Sequence, residues 1–391
     1  MIVLHVAIAS FCALWVVQAA LVFRNVTQLR DLARLSPPDP PAWPSVSVII
    51  PARDEAADLA ESLDSRLSDG YPDLELIVVD DRSSDATPDI IAEFARRDPR
   101  VRPVRVDELP EGWLGKVHAL ATGVKCARGD WLLFSDADVR VEPGMLSRAV
   151  AHCMAENHDL LALIPEFRSR SGIVDALWAI FLRTLMLVFS PAAVRDPSSK
   201  MVLGSGGFTL VRRTTFDATS GFEHLRLETA DDVSLAVMVK QAGGRCDLVN
   251  GCRAVSVSIY DSLGAFFRGV EKNGSSLATV PFWLVATVFA LFGCVEYSPI
   301  AAGVAGVATG TPWLLWLGIT TGVLATAATV AVLHRNTGMV WPALLWPVGW
   351  ALMASGVLRS VWLFHRRGGV IWRTTFYPAA EILEAQRFKL R

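Results

Sequence analysis

Val46-Ser47-Val48-Ile49-Ile50-Pro51 and Leu74-Glu75-Leu76-Ile77-Val78-Val79-Asp80-Asp81 are β-branched runs of strand length, one closed by a proline and the other by a pair of acids. Valine and isoleucine suit a pleated surface, and a nearly unbroken apolar run indicates a strand buried on both faces. Between the runs, Ala56–Ser68 reads as a helix; after the second, Thr87-Pro88 gives an N-cap and a first-turn proline for a helix over Asp89–Arg97. Val101–Val106 and Trp131-Leu132-Leu133-Phe134 continue the pattern. Strands alternating with helices predict an α/β fold with a mostly parallel sheet covered on both faces, and such sheets bind ligands at the strands' carboxyl ends.

Acids stand at three of those ends: Asp54-Glu55, Asp80-Asp81 and Asp136-Ala137-Asp138. One acid in such a place is usually a cap or turn residue, and Asp85 and Asp89 are read that way. Asp136 and Asp138 are different, because carboxylates at i and i+2 of a turn can converge on a hard divalent cation. Mg²⁺ commonly takes one or two carboxylates together with substrate phosphates, so a pyrophosphate-bearing substrate fits. No Gly-x-Gly-x-x-Gly follows the first strand and no Gly-Lys-Ser/Thr loop occurs, which disfavours dinucleotides and P-loop nucleotides.

Outward from this region the chain changes character. Of 391 residues 52% are hydrophobic and only 19% charged, below the roughly 25% of soluble averages. The net charge of −2 provides no basic field, so nucleic acid is not an expected partner. Six scattered cysteines without a Cys-x-x-Cys pair read as buried thiols. Ile2–Phe23 carries no Asp, Glu, Lys or Arg, and about 20 such residues cross a bilayer. It is expected to be an uncleaved anchor over 1–23, with a basic, Pro-rich linker over 24–45. Arg24, Arg30 and Arg34 after it place the next segment in the cytoplasm by the positive-inside tendency.

A soluble domain is expected over 46–277, in which 177–194, with Arg183 in an apolar run, reads as an interfacial helix. About three further membrane helices are expected over 278–364, parted near Gly310-Thr311-Pro312, and a tail over 365–391. Trp283, Trp313, Trp341 and Trp372 near the span ends are interfacial anchors. Four spans put both termini on the far side, whereas His365-Arg366-Arg367 prefers the cytoplasm. Either one run is re-entrant or the charge rule is overridden.

Val46–Glu55, Val78–Asp85 and Ser135-Asp136-Ala137-Asp138, in that order, resemble the family 2 glycosyltransferases. The resemblance continues through Gly204–Phe208, Arg212-Arg213, Gly221-Phe222 and Ala230–Leu235. Glu111–Ala119, Phe267–Asn273 and Val370–Arg373 look like a membrane-bound subgroup that includes hopanoid-associated and carotenoid glycosyltransferases. The resemblance implies a GT-A fold, Rossmann-like with a mostly parallel sheet, beside transmembrane helices. It implies that Pro51, Arg53 and Glu55 line a nucleotide pocket and that Asp81, with Asp80 beside it, binds the base. Asp136 would face the sugar or ribose, Asp138 would hold Mg²⁺ or Mn²⁺ against the diphosphate, and Lys116 would add positive charge near the phosphates. Asp232 matches the family's catalytic base, and Asp231 before it reads as a helix capper or an acceptor-side group. Glu271, Lys272 and Asn273 are acceptor-side candidates, equally readable as a polar helix end. His118 reads as structural.

The activity implied is an inverting, single transfer from a nucleotide-sugar, a UDP-sugar in the first instance, to a lipid acceptor. The enzyme would be a multi-pass protein of the cell (inner) membrane with a cytoplasmic catalytic domain. Two features depart from the family: Asp54 stands where Asn is usual, and no Gln/Arg-x-x-Arg-Trp motif follows Asp232. The second departure disfavours the alternative of a polysaccharide synthase. A catalytically silent membrane scaffold is the other alternative, against which stand the retained Asp136, Asp138 and Asp232. Oligomeric state is not encoded.

Overall fold

The computed structural model describes residues 2–277, 279–373 and 375–387, which divide into two compact units. An α/β unit takes Leu29–Arg168, Pro191–Ile259 and the chain from Ala380 onward; a helical unit takes the remainder.

The strands of the α/β unit are β1 (Arg30–Asp31), β2 (Val46–Ala52), β3 (Leu74–Asp81), β4 (Val101–Val106), β5 (Trp131–Phe134), β6 (Val139–Val141), β7 (Leu160–Ile164), β8 (Glu166–Arg168), β9 (Thr209–Arg212), β10 (Cys246–Asn250) and β11 (Val255–Ser258). The main sheet runs β1-β10-β7-β9-β5-β2-β3-β4 and is parallel except for β9, which is antiparallel to both neighbours. A smaller sheet, β6-β11-β8, follows the Asp136 turn. Helices Leu59–Leu67, Thr87–Arg97 and Gly115–Cys126 match the crossovers that the parallel order requires.

The central strands are buried because they are apolar on both faces. Val48, Ile50, Leu76, Val78 and Leu133 join one core, and Ile77, Val79 and Ala119 another. Burying one such side chain contributes about 1.5–3 kcal/mol. Ile49 pairs with Ile77 on one side and Phe134 on the other, which sets the register of the acidic ends. From β2 the chain steps to β3 and β4 in one direction, while β5 lies on β2's other edge. Between β2 and β5 the strand order reverses, and such switch points open a crevice for ligand.

The stretch read as a linker over 24–45 is partly built in. Arg30–Asp31 pairs with β10, and Leu32 is fully buried in the core. Two paired residues leave no periodicity in the sequence. Cys246 and Cys252 are free thiols.

In the helical unit the first helix runs Ile2–Gln28, beyond the expected anchor. Helices Phe282–Thr309 and Pro312–Asn336 form a hairpin closed by Gly310 at φ +64°. Gly306 meets the backbone of Leu315, and Gly318 meets that of Gly303, so a Cβ at either would drive the helices apart. A fourth long helix spans Trp346–Arg367 and precedes a hairpin of Gly369–Trp372 with Thr375–Pro378. Four stretches, Ile2–Gln28, Phe282–Thr309, Pro312–Asn336 and Trp341–Arg367, are long and apolar enough to cross a membrane.

The expected interfacial segment is a helix over Gly172–Val188 that belongs to the helical unit, whereas Pro191–Arg195 belongs to the α/β unit. Its Arg183 is buried, 2.6 Å from Glu296 Oε2, within 3.3 Å of the Thr329 hydroxyl and 4.8 Å above the Trp15 ring. The charge that argued against burial in lipid is thus neutralised inside the unit.

Candidate active site

The turn after β5 is the centre of the site. Ser135 donates to Gly207 O (2.7 Å), and Asp136 N–H donates to Gly206 O (3.0 Å), so the Gly-rich segment brackets the turn. Gly206 is required there, because a Cβ would fall 2.7 Å from Asp136 Oδ2. From the other side, buried Arg66 donates to Ser135 Oγ (2.7 Å), Asp136 O (2.8 Å) and Val139 O (2.8 Å). Burial lowers its pKa to about 10, against the pull of Asp138 and Asp136. Sequence reading missed this arginine. The signal was its place at the end of Leu59, Ser62, Leu63 and Arg66, an i, i+3, i+4, i+7 face that is otherwise buried.

Lys116, in the first turn of helix Gly115–Cys126, joins three elements. Its Nζ lies 2.8 Å from Asp136 Oδ1 and 3.4 Å from Asp231 Oδ2. Burial alone would lower its pKa, but Asp136, Asp231 and Asp232 outweigh it and hold the ammonium charged. Asp231 and Asp232 open helix Asp231–Gln241. Asp231 is buried, with its carboxylate facing Lys116. Asp232 accepts Gly206 N–H at Oδ2 (2.7 Å) and Val233 N–H at Oδ1 (2.8 Å). Two of its roughly four lone-pair positions remain for a ligand. Lys116, Asp136, Ser205, Gly206, Asp231 and Asp232 line one cavity.

Asp138 is pushed up to about 7, first by burial and then by the charges of Asp136, Glu55 and Asp58. Asp58 is held by Arg140 at 2.7 Å. A carboxylate made costly by other carboxylates is the electrostatic condition that a bound cation relieves.

At the second strand end, Asp81 is buried, 2.8 Å from Arg82 Nε and 3.8 Å from Arg53 Nη1, and Gly115 leaves it room. Asp80 accepts Ser83 N–H (3.0 Å), while its buried Oδ2 makes no hydrogen bond. The β2 and β3 ends are tied together. Asp54, at φ +53°, accepts Ser84 N–H (2.7 Å), and Glu55 N–H donates to Thr87 Oγ1 (2.8 Å). Asp85 is the turn residue it resembled, accepting Thr87 and Ala56 N–H. Pro51 lies within β2, paired with Val79. His118 stacks edge-on to Trp113 at 5.2 Å, and burial lowers its pKa, in keeping with a structural residue.

The family model described as Glycosyl transferase family 2 matches residues 47–219. Residues 47–219 are a family 2 glycosyltransferase domain. A 4,4'-diaponeurosporenoate glycosyltransferase of Staphylococcus haemolyticus is 27% identical over 260 residues, 64% of this chain and 67% of that protein. Ceramide glucosyltransferase 1 of Caenorhabditis elegans is 24% identical over 243 residues, covering 59% and 50%. The matched part spans between 23% and 67% of the curated relatives' own lengths. Among solved structures, a mannosyltransferase from Pyrobaculum calidifontis, in complex with GDP-Man and Mn²⁺, superposes with a TM-score of 0.55 at 19% identity. That match covers 92% of this chain and 99% of the other, and it places the glycosyltransferase in the GT-A fold.

Not every candidate of this glycosyltransferase joins the cavity. Glu271, Lys272 and Asn273 lie in the helical unit; Glu271 pairs with Arg359 (3.1 Å) and Arg367, and Lys272 sits 4.4 Å above the Trp372 ring. Buried His152, His158 and Asp247 form a second cluster able to approach a metal. There Asp247 is already met by His152 (2.9 Å), Arg195 (3.2 Å) and Leu248 N–H (2.8 Å).

Proposed function

We propose that this protein is a metal-dependent, inverting glycosyltransferase that moves one sugar from a nucleotide-sugar, a UDP-sugar in the first instance, to a hydroxyl of a lipid acceptor. The observation that carries the reading is the convergence of Asp136, Asp231 and Asp232 on Lys116 at the mouth of the sheet's switch point. Asp232, fixed by two backbone N–H groups, takes the proton of the acceptor hydroxyl as that oxygen attacks the anomeric carbon, and the nucleoside diphosphate leaves from the opposite face. Such base assistance is worth roughly 10²–10⁴-fold. Asp231 and Asp136 hold Lys116 in place, and its ammonium faces the diphosphate.

The charges that raise Asp138 are those of the carboxylates Asp136, Glu55 and Asp58, a chemistry that suits Mg²⁺ or Mn²⁺. Asp138 would hold the ion with Asp136 beside it, and the ion would supply charge neutralisation on the leaving diphosphate. Pro51, Arg53, Glu55, Asp80 and Asp81 would border the nucleotide, with Asp81, which lies between Arg82 and Arg53, reading the base. Arg66 keeps the Asp136–Asp138 turn in shape.

The lipid acceptor is supported by the apolar helices and by relatives named for 4,4'-diaponeurosporenoate and ceramide. The test is a panel of UDP- and GDP-sugars crossed with lipid extracts, read by nucleoside diphosphate release and product mass. One sugar added to a lipid is the expected result. Folded protein that turns over no donor, or that yields a ladder of oligomers, overturns the proposal.

A further inference from the structure

The helical unit has two ends, and its contacts say which elements reach each. At one end Arg335 donates to Val26 O (2.8 Å) and Asn25 to Met186 O (2.8 Å). This end holds the last turns of helices Ile2–Gln28, Gly172–Val188 and Pro312–Asn336. At the other end the His5 ring meets Trp313 (6.2 Å), and Ile8 and Cys12 pack with Ala302 and Leu314. The first helix and the hairpin Phe282–Thr309/Pro312–Asn336 therefore run the full length, each antiparallel to its predecessor.

Trp346–Arg367 does not. Its first residue, Trp346, packs with Trp15, Val295 and Ala325, each at or within one residue of the middle of its own helix. The Tyr297 hydroxyl donates to Pro347 O (2.8 Å). Its second half lies against residues 263–277: Gly356 meets Phe266, Gly274 meets the backbone of Ser360, and Arg359 donates to Phe267 O (3.1 Å). Residues 263–277 lead directly into Phe282–Thr309, so they mark the end from which that helix departs. The contacts of Trp346–Arg367 thus lie at mid-helix depth and at the 263–277 end. The link from Asn336 is too short to carry the chain there. It has nine residues, 337–345, of which Trp341–Leu345 are 3₁₀. At about 2 Å per 3₁₀ residue and about 3.5 Å per extended one, it falls short of a hydrocarbon core of about 30 Å.

We infer that the chain crosses the membrane three times and that Trp341–Arg367 is re-entrant, dipping into one leaflet and returning to the side it came from. With Gly172–Val188, which it packs against through Gly349 and Ala176, it forms a surface immersed in that single leaflet. Leu344, Val348 and Trp362 are exposed there, and Arg366 lies 4.9 Å above the Trp362 ring, the pairing of indole and cation found at headgroup depth. Three crossings put His365-Arg366-Arg367 on the same side as Arg24, Arg30 and Arg34, so the two basic clusters obey one charge rule. They also return the tail to the α/β unit, where Arg387 N–H donates to Glu228 Oε1 (2.5 Å). Resting on the proposed lipid acceptor, the inference assigns that acceptor to this leaflet.

Epitope tags placed after Arg391, within Glu108–Glu111 and at Gly310 decide it in sealed vesicles of known orientation. The Arg391 and Glu108 tags are expected on one face and the Gly310 tag on the other. An Arg391 tag opposite the Glu108 tag, or a Gly310 tag beside it, overturns the inference. Trypsin on untagged vesicles is a second reading: cuts at Arg366–Arg367 and at Arg105 from the same face support it, and cuts from opposite faces overturn it. Neither readout depends on turnover, so an inactive protein leaves the topology decided while refuting the proposed activity.

Discussion

Two clusters of opposite charge, one in each unit, teach different things. Around Lys116 three carboxylates face one cation at the edge of a cavity, and Asp138 nearby is forced toward the neutral form. Around Arg183 there is one carboxylate, one hydroxyl and one indole face, sealed at 3% exposure for both charged partners. The first is unbalanced and reachable, which is the condition for binding a cation and a charged substrate. The second is balanced and closed, which fixes how helices assemble and leaves nothing to bind. The first variants below remove a charge from one cluster or the other, and the contrast predicts that activity and stability respond separately.

The largest effect belongs to Asp232. Asp232→Asn keeps an oxygen for the N–H of Gly206 or Val233 but loses basicity, so turnover should fall about 10²–10⁴-fold with thermal unfolding nearly unchanged. Nucleoside diphosphate release beside a melting curve checks both halves. A variant that keeps full turnover removes Asp232 from the chemistry and breaks the contrast at its first term.

The reverse outcome is expected at Arg183. Arg183→Met or Glu296→Gln alone strands a buried partner and should destabilise by about 3–5 kcal/mol, whereas Arg183→Met with Glu296→Met should recover most of that loss. Melting in detergent reads all three. Double and single variants falling equally far would show that the pair contributes more than mutual neutralisation.

A smaller effect follows from Asp138. With its carboxyl at about 7, Mn²⁺ must displace a proton below that pH, so apparent Mn²⁺ affinity should weaken about tenfold per unit as pH falls below 7 and level off above it. Stability of the metal-free protein has the opposite sign. A raised carboxyl pKa contributes stability at and below the ordinary value of 3.8, and that contribution is lost as pH rises through about 7. Asp138→Asn should flatten both curves. Titrations by calorimetry and melting from pH 5 to 8 test the two signs on one sample.

What the sequence made legible follows the same division. β2, β3 and β5 announced themselves through apolar runs that end in acid, and the ordered acids brought Asp136, Asp138 and Asp232 into view before any geometry. The partners that hold those acids were hidden because they are distant in the chain: Arg66 reaches Ser135 across 69 positions, and Gly206 reaches Asp232 across 26. No periodicity records such a pairing. In the helical unit the difficulty is of another kind. Trp341–Arg367 matches a crossing helix in length and apolar content. Its depth and direction are written only in what it touches: Trp15 at one end and Phe267 near the other.

The finest prediction concerns the position where the chain departs from its family. Asp54 sits at φ +53°, in the left-handed region that Asp and Asn tolerate best among residues with a Cβ. Its Oδ1 accepts the N–H and hydroxyl of Ser84, while its own N–H donates to the Ser83 hydroxyl oxygen, so the residue staples the β2 end to the β3 end. An asparagine oxygen accepts the same two bonds. Asp54→Asn should therefore stay within about 0.5 kcal/mol of the parent in melting and leave donor KM unchanged. Asp54→Ala loses both bonds and strains the backbone, at a cost of about 1–3 kcal/mol, and should raise donor KM as the loops beside Arg53 and Asp81 separate. Equal behaviour of the two variants would mean that the staple does not hold the nucleotide end of the site, and that the unbalanced cluster around Lys116 and Asp138 positions the donor without it.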